Sequence, residues 1–129
     1  GVHVNGSIGD NAYTIDLSGK YNDLVKAAQK ALKEALKIIN VGTELRQIGK
    51  VINDTIKSYG YNPVRNLSGH GLDLYNIHTK PTIPNIDDGN KTKLQKGRRL
   101  QSSRLQQQVQ GLLLRKACRQ SSCLSTKSL

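Results

Sequence analysis

The sequence predicts an α+β fold in which an antiparallel sheet carries two amphipathic helices on one face, and three observations lead there. Residues 1–17, GVHVNGSIGDNAYTIDL, place β-branched and aromatic residues around Asn5-Gly6, a strong short-range hairpin signal. Two stretches with helical periodicity follow. The segment NLSGHGLDLYNIH at residues 66–78 then returns to extended chain. Two helices laid across one side of a sheet would bury both of their apolar stripes.

The first segment reads as two antiparallel strands joined at Asn5-Gly6. In the second strand Asp10, Ala12, Thr14 and Asp16 share one face, and Asn11, Tyr13, Ile15 and Leu17 share the other. The carboxylate of Asp10 therefore projects from the smaller, more polar face. From Asp23 the period changes. Leu24, Ala28, Leu32, Ala35, Leu36 and Ile39 form a helical stripe, with Lys26, Lys30, Lys33 and Lys37 on the solvated side. Gly42 stops this helix and Thr43 is placed to cap the next. The second stripe runs through Leu45, Ile48, Val51, Ile52, Thr55, Ile56 and Tyr59 and ends at Gly60. Pro81 and Pro84 mark irregular chain, and Asp87-Asp88-Gly89-Asn90 reads as a turn.

Composition bounds the function. At 129 residues the chain is one domain or a piece of a larger one. It has no Phe, Trp or Met, so five tyrosines are its only aromatic anchors. No apolar run is long enough to cross a bilayer, and the first residues lack a signal-peptide pattern, which predicts a soluble, cytoplasmic chain. It starts at Gly1 rather than Met, and a segment upstream is expected. The net charge of +11 is unevenly placed: residues 1–90 carry ten Lys and Arg against nine Asp and Glu, whereas residues 91–129 carry ten and no acid. A basic tail on a near-neutral body is a weak footprint of nucleic-acid binding, so such a partner would have to come through the tail. Cys118 and Cys123 also lie in the tail, at a spacing that fits no standard zinc knuckle. From residue 97 the chain is rich in Gln, Ser, Arg and Leu and reads as a separate, basic segment without a stable fold, with Arg104 to Ala117 the stretch most able to form helix. Two units result, 1–96 and 97–129.

His70 lies between Gly69 and Gly71, and His78 follows eight residues later. Glycines admit a bend or a close approach of another group. An even spacing along mainly extended chain lets both imidazoles face one side, as a titratable, metal-capable pair. Spacing alone favours the plainer reading, two surface or hydrogen-bonded histidines in a turn-rich loop.

The ordered motifs G-x-H-x-x-G-x-I-x-D at Gly1 to Asp10, N-L-S-G-H-G at Asn66 to Gly71 and Y-x-I-H at Tyr75 to His78, with two amphipathic helices between, resemble methionine aminopeptidases of type 2, in the pita-bread metallopeptidase family. The resemblance covers residues 1–96 and is closest to archaeal representatives. It implies a fragment of the pita-bread (creatinase/aminopeptidase) fold. It also implies removal of N-terminal methionine from peptides or nascent chains, by amide hydrolysis on two divalent metal ions such as cobalt, manganese, iron or zinc. Asp10 matches the bridging aspartate ligand and His70 the ligand histidine. His78 matches a histidine that contacts substrate beside the scissile amide, and Ile77 falls where the family lines its methionine pocket.

The departures are equally specific. The resemblance places another aspartate ligand and a catalytic histidine before Gly1, and two glutamate ligands after residue 97, where no Glu occurs. Only two of five metal ligands are matched, so the chain is expected to be truncated at both ends and inactive. A frameshift near Gly97 accounts for the tail. Permitted codons for Gln101 to Arg115, read from the third base, give Ile-Glu-Pro-Phe-Ala-Thr-Thr-Gly-Thr-Gly-Leu-Val-Val-Glu, which resembles the family segment with its glutamate ligand. The alternatives are a non-catalytic pita-bread homologue acting as a protein- or RNA-binding module, and an unrelated small α+β binding protein. Two retained ligands argue against the first, and the second would make the ordered motifs a coincidence.

Overall fold

The computed structural model describes residues 1–10, 12–97 and 99–100. Of the tail expected to lack a fold from residue 97, Gly97, Arg99 and Leu100 are described and Arg99–Leu100 forms a strand; its remainder, with both cysteines, lies outside the described residues. Strands β1 (Val2–Val4) and β2 (Ser7–Gly9) form an antiparallel hairpin. Its turn is Asn5-Gly6, with φ of 47° and 82°, the left-handed pair that a two-residue turn of this kind demands. Helices α1 (Asn22–Ile38) and α2 (Leu45–Ser58) follow. A second antiparallel sheet has the order β4-β3-β5, from β3 (Ser68–Asp73), β4 (Asn76–Pro84) and β5 (Arg99–Leu100). The strands thus form two small sheets, with α2 packed on β4 and α1 packed chiefly on α2.

The expected second strand is shorter than its pattern suggests. Residues 12–17 run on without ladder partners among the described residues, yet the alternation survives. Ala12, Thr14 and Asp16 are half-buried, while Tyr13, Ile15 and Leu17 stand in solvent at 70, 72 and 95% exposure. The small, polar face is the one turned inward. Asp16 accepts hydrogen bonds from the Ser18 hydroxyl and from the backbone N–H groups of Ser18 and Tyr21, which fixes the entry to α1. The Ser18 hydroxyl and the Tyr21 amide hold its carboxyl below the usual carboxylate range.

Alanine defines the buried face of α1. Leu24, Ala27, Ala28, Ala31 and Ala35 are buried, and Leu36, expected in the stripe, is 46% exposed. The inward face of α1 is therefore lined chiefly by alanine. The stripe of α2 buries Leu45, Ile48, Ile52 and Ile56, and these meet Ile83 of β4 and Leu94 in the main core. Each fully buried Leu or Ile contributes about 1.5–3 kcal/mol relative to leaving it in water. Gly49 has a packing reason of its own: a Cβ there would run into the backbone carbonyl of Ile86. The start of α2 is capped by Glu44 rather than Thr43. Glu44 and Gln47 form a reciprocal capping box, and the carbonyls of Thr92 and Asn90 accept the N–H groups of Leu45 and Arg46. Thr43 instead donates its hydroxyl to the Ile38 carbonyl and so ties down the end of α1. Gly60, at φ 80°, closes α2 with bonds from Gly60 N–H to Lys57 and from Tyr61 N–H to Ile56, a Schellman arrangement.

Candidate metal and substrate site

The histidine pair is built by a hairpin rather than by one extended run. Eight residues of continuous strand would set the rings about 26 Å apart. The chain instead reverses at Leu74-Tyr75, and β3 and β4 lie side by side. His70 pairs with Thr82, whereas Gly71 pairs with Thr79, so Lys80 and Pro81 are two extra residues on β4. This irregularity presses β4 against Gly71. A Cβ on Gly71 would stand 2.5 Å from the Lys80 carbonyl oxygen and 2.7 Å from Thr79 Oγ1. The expectation that a glycine is needed beside His70 therefore holds through close approach, the second of its two physical routes. The consequence is that the His70 and His78 rings come together, with centroids 4.4 Å apart and planes tilted by 57°.

His70 is buried at 7% exposure, and its Nδ1 lies 3.0 Å from the Gly71 carbonyl oxygen. A carbonyl only accepts, so the tautomer assigned is Nδ1–H, which puts the ring's lone pair on Nε2. His78 is exposed on the partner strand. Both rings line an open cavity of about 450 Å³, together with Asn66, Leu67, Ser68, Thr79, Lys80 and Thr82. The other lining residues supply hydroxyls, an amide and the Lys80 ammonium.

Asp10 follows directly on β2, which lies against β3. Its half-buried carboxylate sits beside Gly1, outside the lining of the His70–His78 cavity. Ile77 is half-buried on β4, next to His78 and likewise outside that lining. The structure thus brings His70 and His78 together at one cavity. Among the described residues no group of three or more His, Cys, Asp or Glu stands close enough together to hold a metal ion. The two glutamates are engaged elsewhere, Glu34 with Lys30 and Lys37 and Glu44 with Arg46. A dinuclear cage of five protein ligands does not fit this donor set.

The two hairpins touch at their turns. The Tyr75 N–H donates to the Gly6 carbonyl at 2.9 Å, and the Tyr75 ring covers Gly6 and meets His3 edge-on at 5.9 Å. The strand that leads into Asp10 is thereby tied to the strand that carries His70.

Comparison with known proteins gives this arrangement its context. The sequence pattern of metallopeptidase family M24 matches residues 1–102. This chain belongs to metallopeptidase family M24. Archaeal relatives named methionine aminopeptidase are 49% identical over 86 residues in Methanocaldococcus jannaschii and 48% identical over 86 residues in Thermococcus onnurineus. Each match takes in 67% of this chain and 29% of the relative, so the chain spans under a third of their length. The crystal structure of methionine aminopeptidase from Rickettsia prowazekii superimposes with a TM-score of 0.58 at 28% identity, over 67% of this chain and 35% of that one. The Thermotoga maritima methionine aminopeptidase gives a TM-score of 0.55 at 33% identity, over 60% of this chain and 31% of that one. The M24 match runs past residue 97 and takes in β5, whose Leu100 pairs with Gly71.

Sequence reasoning passed over Ser68, Lys80 and Thr82 in the cavity wall. The signal was present as period two. Ser68 and His70 on β3, and His78, Lys80 and Thr82 on β4, are alternate residues of their strands.

Proposed function

We propose that this M24 chain represents the metal- and substrate-facing part of a type 2 methionine aminopeptidase, which hydrolyses the amide after an N-terminal methionine. The observation that carries this reading is the His70–His78 pair, held across one hairpin at one cavity in a chain with methionine aminopeptidase relatives. In the intact enzyme Asp10 and His70 would serve as metal ligands, and His78 and Ile77 would contact an N-terminal Met peptide or nascent chain. The metals would supply Lewis-acid polarisation and an activated water. Cobalt, manganese, iron and zinc all suit such a site, and the cytoplasm is where nascent chains are met.

The chain as it stands is inactive. One carboxylate and one imidazole cannot fix both the attacking oxygen and the tetrahedral centre, and misplacement by about 1 Å already costs about 100-fold. The purified chain, with excess cobalt or manganese and a Met-initiated peptide, is expected to show no turnover above the metal-only control. Turnover that His70→Ala abolishes would overturn this.

A further inference from the structure

We propose that Asn85 is a positioning residue of the candidate site: its buried carboxamide clamps the Val64 and Leu67 carbonyls and so sets the wall at residues 66–68 against the His70–His78 pair. The proposal rests on the aminopeptidase reading only for what the cavity does, and the clamp itself stands on geometry. Asn85 follows directly on β4 and is 1% exposed. Its Nδ2 donates to the Val64 carbonyl and to the Leu67 carbonyl, each at 3.0 Å. Carbonyls only accept, so the nitrogen is the atom assigned to face them. One planar amide thus spends both N–H groups on a loop that lies 21 and 18 positions earlier in the chain. Asn66, Leu67 and Ser68, which that loop carries, line the cavity with the two imidazoles.

The fixed end of the clamp is α2. A Cβ on Gly49 would meet the carbonyls of both Ile86 and Pro84, so the backbone on either side of Asn85 is seated directly on the helix. Ser68 pairs with Pro84 in the ladder, whereas residues 61–67 belong to no strand or helix. The ladder stops where the loop begins, and the Asn85 amide reaches past it. Its other polar atom sharpens the argument. Oδ1 is buried and has no hydrogen-bond partner among the described residues. A buried acceptor left unpaired costs stability, a cost that a leucine of similar volume would avoid. Leucine could not, however, satisfy the two carbonyls. The residue is therefore explained by its nitrogen, and through the nitrogen by the loop. Leu67 stands immediately before β3 and three residues before His70, so a shift of the clamped carbonyls is a shift in the entry to the strand that holds the buried imidazole.

Nuclear magnetic resonance of the full chain tests this with no measurement of turnover, so its outcome is independent of the peptidase assay. In the unsubstituted chain the Asn85 Nδ2 protons should exchange about tenfold or more slower than those of a free carboxamide. In low urea they should open together with the Leu67 and Ser68 amides, before the core amides of α2. Asn85→Leu keeps the volume and removes both donors. It should shift the resonances of residues 64–68 and weaken the His70–His78 contact in nuclear Overhauser spectra, while the amides of Ile48, Ile52 and Ile56 keep their positions. Nδ2 protons that exchange as freely as a solvated carboxamide overturn the clamp. Wall resonances and a ring contact that Asn85→Leu leaves alone, or changes no more than the α2 amides, overturn the positioning role and make Asn85 a core residue only. Should Asn85→Leu fail to fold, the urea series decides: common opening of the Nδ2 protons and the wall supports the proposal, and separate opening overturns it.

Discussion

At Gly71 an added methyl group would meet two atoms of the opposite strand, the Lys80 carbonyl at 2.5 Å and Thr79 Oγ1 at 2.7 Å. The hydroxyl can rotate away, but the carbonyl is backbone and can yield only if β4 moves. Gly71→Ala is therefore expected to destabilise the chain by about 1–3 kcal/mol, the range for overpacking a tight contact. Urea unfolding checks this through a lower midpoint at unchanged slope. The same change should separate the imidazoles, so the His70–His78 contact in nuclear Overhauser spectra should weaken. The φ angle is ordinary at this position. A sequence marks such a glycine without saying whether conformation or space requires it, because the neighbour that fills the space lies nine residues away on another strand.

Glu44 shows how an element boundary is set by several weak groups at once. Its carboxylate accepts from the Gln47 backbone while the Gln47 side chain accepts the Glu44 N–H at 3.0 Å. Glu44→Ala is expected to cost about 0.5–1 kcal/mol, toward the low end for a lost cap. The carbonyls of Asn90 and Thr92 still hold the Arg46 and Leu45 amides, which limits the damage. Thermal denaturation would show a drop of a few degrees, and hydrogen exchange should quicken in the first turn of α2 alone. The α2 stripe was legible because Leu45, Ile48, Ile52 and Ile56 are large and keep helical spacing. The α1 stripe was legible only in part. Its alanines pack on either side of a helix with little cost, so periodicity did not separate Ala27 and Ala31, which are buried, from Leu36, which is not. Residues 12–17 alternate as a strand should, but alternation records which side faces inward and not whether a neighbouring strand exists.

At the scale of the molecule, the α+β class and the order of its elements followed from changes of period, which are local. The site was legible as residue types and an even spacing. Its construction was not, because a cross-strand pair depends on where the chain reverses, and Leu74-Tyr75 carries no glycine or proline to announce a turn. Tyr75 takes the left-handed φ of 53° there without a glycine's freedom. The docking of its amide and ring on Gly6 joins positions 69 residues apart (75 minus 6). Closing so long a loop is entropically costly, and β1 offers only exposed side chains in return. The contact is then expected to form late, after the helices and the β3–β4 hairpin have condensed. Gly6→Ala, which strains a φ of 82° and pushes the ring of Tyr75 aside, should quicken unfolding while leaving refolding nearly unchanged in stopped-flow experiments. A slowed refolding limb would mean that the hairpins meet early. The junction between the Asp10 hairpin and the His70 hairpin is thus a matter of timing: among the described elements it is expected to be the last to close and the first to open.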